Sequence, residues 1–205
     1  SIFMYKELQG KNIAIITHAG GPAVMLTDAL SNGGLNVPKL EGNKTKNLLE
    51  KLYKGSSVAN PIDFLATGTA EQLGTIIDFI DNNFNEIDAM VVIFGTPGLS
   101  KIFDAYAVLE NKIKSCKKTI FPILPSPLVA TEEVKEFKSK GLCYFSDEVN
   151  FGNMLSKIFY TKKPAKIEEC SFVLDSNKIR DIINNSDSGY LSPSKNCDIL
   201  DATGI

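Results

Sequence analysis

The 205-residue chain has no tryptophan and one histidine, and none of its four cysteines forms a CxxC pair. A lone histidine without paired cysteines argues against the common zinc frameworks. Its longest apolar runs, such as residues 90–94 (MVVIF), are far too short to cross a bilayer. Residues 1–11 (SIFMYKELQGK) lack the charged segment and long apolar stretch of a secretory leader. A formal charge of -2 with interspersed signs argues against an extended basic face for nucleic acid or anionic membrane. The motif GxxxxGK[ST] is missing, which removes the P-loop nucleotide reading, and so is GxGxxG, which leaves a dinucleotide cofactor poorly supported.

Cys116, Cys143, Cys170 and Cys197 recur at intervals of 27 residues, but their flanking sequences share no pattern, so the spacing marks no repeat. They are expected as thiols of a reducing cytoplasm. The chain starts at Ser1 and stops just after an apparent helix, so both ends are expected to be cut from a longer polypeptide.

What is present is an alternation of apolar strands and amphipathic helices. Hydrophobic residues make up 43% of the chain and charged residues 22%, an ordinary globular balance. Strands are predicted over 11–18, 35–40, 88–96, 118–125 and 142–147. Pro38 weakens the second and suits it to a sheet edge. Helices are predicted from the Gly-Gly-Pro turn to 31–34, then over 43–54, 70–84, 99–116, 131–141 and 149–160. In the first, Pro22 suits the first helical position, with Val24, Met25 and Ala29 inward and Leu26 and Leu30 as further inward candidates. Thr69 and Thr131 are expected as helix caps. This order predicts an α/β fold, a doubly wound parallel five-stranded sheet of order 2-1-3-4-5 with helices on both faces.

Beyond residue 160 the character changes. Residues 161–176 read as a charged linker or arm, followed by two short helices over 177–186 and 192–205 with little apolar content. The expected division is a domain at 1–162 and a helical extension at 163–205.

In such a sheet, ligands bind at the carboxyl ends of strands beside the reversal of strand order. Two loops meet there, residues 17–23 (THAGGPA) and 95–100 (GTPGLS). First-turn amides of a helix lack internal partners and face the positive end of its dipole, so they bind anions without a cationic side chain. Gly20, Gly21, Pro22 and Ala23 are therefore the candidate phosphate-binding turn. Equally, Gly20 and Gly21 can serve tight strand-to-helix packing alone, and the same two readings hold for Gly95 and Gly98. A response-regulator receiver needs an aspartate where Phe94 and Gly95 stand. A flavodoxin needs hydroxyl-rich phosphate loops, where residues 17–23 supply only Thr17.

Three ordered segments carry a resemblance: IAIITHAGGPAVMLTDAL at 13–30, NPIDFLATGTAEQ at 60–72 and DAMVVIFGTPG at 88–98. Over about residues 1 to 160 the chain resembles the flavodoxin-like domain of NDP-forming acyl-CoA synthetases. These include the ADP-forming acetyl-CoA synthetases and, more distantly, succinyl-CoA synthetase. That family's T-N-x-G-G-P-G motif corresponds to Thr17 through Ala23, and its N-P-x-D motif to Asn60 through Asp63. The tail, YLSPSKNCDILDATGI at 190–205, is similar to the entry of the family's ATP-grasp domain.

The resemblance implies a cytoplasmic acid–CoA ligase. It makes acyl-CoA, ADP and phosphate from acid, CoA and ATP, through an acyl phosphate and a phosphohistidine. It implies that CoA and ATP or ADP with Mg are bound mainly outside this segment, with none held tightly here, and that the isolated segment is inactive. Implied partners are the CoA-binding and ATP-grasp domains of the same enzyme and a phosphate or acyl phosphate. No nucleic acid, membrane or metal site is implied, and homo-oligomer formation stays open. The helix at Gly20–Ala23 matches a helix whose N-terminus docks the phosphohistidine. Thr17, His18, Asn60, Asp63, Gly95 and Thr96 are candidate polar contacts at that end of the sheet; for Asn60 and Asp63, capping and turn formation in the Asn-Pro loop is an equal alternative. In the family the phosphorylated loop belongs to a preceding domain and asparagine generally stands where His18 does. His18 is therefore read as a phosphate contact or a packed polar group rather than as the carrier. The rival reading is a non-catalytic anion- or acyl-CoA-sensing regulatory module, as when such a domain is fused to an acetyltransferase.

Overall fold

The computed structural model of the protein describes residues 8–95, 102–125, 128–162 and 174–204. It divides into two compact units, Ser1–Thr161 and Lys162–Ile205.

In the first unit, β1 (Ile13–Thr17), β3 (Ala89–Ile93) and β4 (Thr119–Ile123) are buried along their whole length. Such runs are apolar on both faces because helices cover both. A two-residue strand, β2 (Ile62–Asp63), completes a four-stranded sheet of order β2-β1-β3-β4. Every pairing is parallel, and Thr17 is in register with Asp63 on one side and Ile93 on the other.

Side chains alternate between two cores. Ile13, Ile15, Val91, Ile93, Phe121 and Ile123 pack with α1 (Gly20–Asn32) and α6 (Glu148–Tyr160). Ala14, Ile16, Met90, Val92 and Ile120 face the other way. Against them lie α2 (Asn43–Leu49), α3 (Ala70–Asn83), α4 (Phe103–Ser115) and α5 (Thr131–Ser139). The result is an α/β sheet with helices on both faces.

Three of the five expected strands form, two shrink to single bridges, and the unexpected β2 makes the fourth strand of the sheet. Residues 35–40 contribute only the bridge between Asn36 and Asn12. Past that point Asn60 occupies the edge of β1 with its side chain, and β2 takes the last two rungs. Residues 142–147 contribute only the bridge between Phe145 and Ile123. Phe145 N–H donates to Pro122 O at 2.9 Å, so Pro122 faces that neighbour. Its missing N–H deletes the rung that would extend the pairing.

The helix starts also depart in places from expectation. Thr69 caps α3 as read, with Gln72 N–H donating to its hydroxyl and Gln72 Oε1 accepting from Thr69 N–H, a reciprocal capping box. Thr131 is not the N-cap of α5: Ala130 holds that position, and the Thr131 hydroxyl donates to Leu128 O at 3.0 Å. In α1 the inward residues are Ala23, Leu26, Ala29 and Leu30. Val24 and Met25, expected inside, are 59% and 51% exposed. The helix begins at Gly20 rather than Pro22, and its buried stripe follows the three- and four-residue spacing from Ala23.

The second unit holds α7 (Ser176–Asn184) and α8 (Pro193–Thr203). Asp175 caps α7, and Ser192 caps α8 with Pro193 opening its first turn. Asp175 N–H donates to Ala202 O, tying the start of one helix to the end of the other. No helix among the described residues is long and apolar enough to cross a membrane.

Candidate functional site

The carboxyl end of β1 runs through His18 and Ala19 straight into α1. Ala19 is the N-cap, in extended conformation and with no side-chain cap of its own. The neighbouring hydroxyl supplies one instead. Ala19 N–H donates to Thr17 Oγ1 at 3.0 Å, and that hydroxyl donates to Ala19 O at 2.8 Å. Thr17 is fully buried and engaged as both donor and acceptor, so it shapes the turn instead of reaching a ligand.

The orphan donors of α1 can be counted. The cap amide goes to Thr17, and Pro22, third in the helix, has no N–H. Ala23 is the fourth helical residue, where the intrahelical ladder begins, so its amide belongs to the helix. That leaves the amides of Gly20 and Gly21, two residues that are both solvent-exposed. The expected donor set of Gly20, Gly21 and Ala23 thus narrows to the two glycines. A methyl group at Gly21 would meet nothing within 4 Å, whereas one at Gly20 would stand 3.4 Å from Asp63 Oδ2. Close packing therefore does not require glycine at position 21.

Asp63 is brought beside this helix start by the β1–β2 register. Its Oδ1 accepts from Leu65 N–H at 2.9 Å. Oδ2 stands on the side of Gly20 and sets a negative charge near the positive end of α1.

His18 is buried, at 8% exposure. Its ring stacks on Phe94 with centroids 4.6 Å apart, and Nδ1 lies 3.4 Å from Ile93 O. Burial pulls its pKa below the usual histidine value, while the Ile93 carbonyl and the Asp63 carboxylate oppose that shift. The geometry is that of a packed polar ring at the rim of the turn. The Ile93 carbonyl, 75 residues away, ends β3 and Phe94 directly follows it, and no local sequence pattern points to them.

Asn60, expected as a polar contact, is spent on the fold. Its Oδ1 accepts from Ile15 N–H at 2.8 Å, and its amide donates to Ile13 O at 3.0 Å and Pro38 O at 2.9 Å. It sits at positive φ before a cis peptide bond to Pro61. Gly95 is buried at the carboxyl end of β3. Thr96 and Gly98 lie outside the described residues. Among the described residues, no group of three or more His, Cys, Asp or Glu could hold a metal ion.

No protein-family model matches the chain. It is 23% identical over 215 residues to acetate–CoA ligase [ADP-forming] I of Archaeoglobus fulgidus, covering 100% of this chain and 30% of that enzyme. A 63-residue stretch, 31% of the chain, is 35% identical to the alpha subunit of acetate–CoA ligase [ADP-forming] II of Pyrococcus furiosus, covering 14% of that subunit.

The chain is homologous to ADP-forming acetyl-CoA synthetases.

The solved structure of the Ca. Korarchaeum cryptofilum dinucleotide-forming acetyl-coenzyme A synthetase 1 in complex with phosphate and ADP has the same fold. It superposes with a TM-score of 0.65 at 16% identity, over 75% of this chain and 33% of that one. The chain therefore spans about a third of the length of the acetyl-CoA synthetases that it matches along most of its own length. The Gly20–Gly21 turn and Asp63 fall within the stretch aligned to the Archaeoglobus synthetase, because that alignment covers the whole chain.

Proposed function

We propose that the chain is the flavodoxin-like segment of an ADP-forming acyl-CoA synthetase, and that the Gly20 and Gly21 amides of α1 dock a phosphoryl group in transit. In the whole enzyme an acid, CoA and ATP would give acyl-CoA, ADP and phosphate. The phosphoryl group would pass between acyl phosphate, a histidine and the nucleotide. One observation carries the docking role: after every other orphan donor of α1 is accounted for, two adjacent exposed amides remain at the switch point of a parallel sheet. They act with the helix dipole, which is equivalent to roughly half a positive charge. The phosphate and ADP held by the Korarchaeum synthetase support a phosphoryl ligand for this enzyme class.

In this reading the bound phosphoryl group meets Gly20 and Gly21 from the solvent side, with Asp63 at its flank. Asp63 repels a fully ionised phosphate and accepts a hydrogen bond from a protonated or hydrogen-donating one, which favours a phosphoryl group carried on imidazole over free phosphate. His18 holds the rim in place and is not itself phosphorylated. CoA and the nucleotide would be held by other parts of the enzyme, with residues 163–205 forming the linker and the start of the nucleotide-binding domain.

Titration of the ¹⁵N-labelled chain with inorganic phosphate and with phosphoimidazole tests the site. Saturable shifts of the Gly20 and Gly21 amide resonances are expected, with the tighter response to phosphoimidazole. Resonances that stay fixed through both titrations would remove the docking role.

A further inference from the structure

A second polar site lies between α4 and α5, away from the Gly20–Gly21 turn. Tyr106 is 4% exposed, and its hydroxyl has no hydrogen-bond partner among the described residues. Its ring has little freedom to seek one: it meets Phe94 edge-on at 6.4 Å and Phe137 at 5.9 Å between centroids. A buried hydroxyl left unmatched forfeits the hydrogen bonds it would make with water, and native proteins rarely leave one so.

Glu133, in the first turn of α5, is 8% exposed, an unusual burial for a carboxylate. Tyr106 and Glu133 line one cavity of about 10 Å³, with Glu110, Glu136 and Lys140 among its other walls. A cavity of that volume fits about one water molecule and nothing larger. The outer carboxylates are paired: Lys140 lies 2.9 Å from Glu110 and 2.8 Å from Glu136, and Lys114 lies 2.7 Å from Glu110. Of the residues around the cavity, Tyr106 offers an unmatched hydroxyl donor and Glu133 a carboxylate acceptor, a pair that a single neutral molecule can join.

We propose that this cavity is a binding site for one resident water, which accepts from the Tyr106 hydroxyl and donates to the Glu133 carboxylate. The water links α4 to α5. It also steadies a row of rings, because Tyr106 abuts Phe94 and Phe94 stacks on His18. The wall behind the Gly20–Gly21 turn is thus anchored from the far side of the sheet.

A high-resolution crystal structure of the chain and of its Tyr106→Phe variant decides the matter. In the unmodified chain a single density peak is expected within hydrogen-bond distance of both Tyr106 Oη and a Glu133 carboxylate oxygen. Tyr106→Phe keeps the ring and should lose the peak, whereas Glu133→Gln, which keeps an acceptor, should retain it. Long-lived water cross-peaks to the Tyr106 hydroxyl proton give the same reading in solution. Density without such a peak, or a direct bond from Tyr106 to Glu133, overturns the proposal. So does a peak that gains scattering after a rubidium soak, which would make the occupant a cation.

Discussion

Asn60 and Ile15 are 45 residues apart in sequence, yet the Asn60 side chain accepts from the Ile15 amide at 2.8 Å as a neighbouring strand would. Its own amide returns a bond to Ile13 O at 3.0 Å and a second to Pro38 O at 2.9 Å. One side chain thus replaces a strand residue on the edge of β1. Asn60→Ala should leave the Ile15 amide and the Ile13 carbonyl unmatched in a largely buried setting. A loss of about 2–4 kcal/mol is expected, from one or two such groups, read as a lower urea midpoint. Asn60→Asp should be nearly as harmful, since a carboxylate cannot donate to Ile13 O or Pro38 O. An unchanged midpoint in both variants would show that the edge is held by other means.

Gly21 lets packing be tested apart from the proposed anion binding. With nothing within 4 Å of a methyl group there, Gly21→Ala should stabilise α1 by about 0.5–1 kcal/mol, through helix propensity. Gly21→Asp places a carboxylate in the first turn, where it complements the dipole by about 0.3–1 kcal/mol. That carboxylate occupies the position proposed for the phosphoryl group. Thermal unfolding should therefore show both variants at or above the parent midpoint, while amide titration shows the phosphate response of Gly20 lost in Gly21→Asp. A full response in Gly21→Asp would move the ligand elsewhere.

The same residues show how far the sequence could be read. Strands β1, β3 and β4 were legible because each is a continuous apolar run, and α3 because Thr69 and Gln72 form a reciprocal cap. The edge of β1 was not, because no periodic signal marks an asparagine whose side chain stands in for a strand. Pro122 hid inside an apolar run while deleting the donor that a fifth strand needs. The Gly-Gly turn announced the exposed amides. Which of them stay unmatched depended on α1 starting at Gly20 and on the Thr17 hydroxyl taking the cap amide. Val24 and Met25 turned outward for the same reason of register. His18 looked like a candidate group because its burial is imposed by β3, far along the chain.

His18 gives the stability of the domain a definite pH dependence. Its pKa is depressed in the folded state, chiefly by burial, so the unfolded chain binds a proton first as the pH falls. Unfolded histidine titrates near about 6.5. Stability from this residue is therefore fully present above that value and is lost as the pH drops from there toward the folded pKa. Asp63 is the charged group that opposes the shift, so Asp63→Asn should depress the folded pKa further and deepen the loss. Urea unfolding between pH 5 and pH 7.5, with the His18 ring followed by NMR, should show a slope that His18→Asn removes. In the complete enzyme, His18→Asn should still form phosphoenzyme; loss of all phosphoenzyme would make His18 the carrier.

The placement of α1 rests on one close approach. Gly152 of α6 faces α1 so tightly that a Cβ there would lie 2.8 Å from Ala29 Cβ and 3.2 Å from Leu26 Cδ1. Leu26 can swing its terminal methyl, but the Ala29 Cβ is fixed to the helix backbone, so the helices themselves must part. Gly152→Ala gains up to about 1 kcal/mol in helix propensity. Overpacking of this kind costs about 1–3 kcal/mol, so the net change should be destabilising. Because α1 moves as a rod, the Gly20 and Gly21 amide resonances should shift although neither glycine touches Gly152. Ala29→Gly removes the opposing methyl, and the double variant should recover more stability than the two single changes predict. That surplus, measured by a double-mutant cycle, isolates the contact from the propensity terms, which cancel around the cycle. Strictly additive changes would mean that α1 is seated by its buried stripe alone, without regard to Gly152.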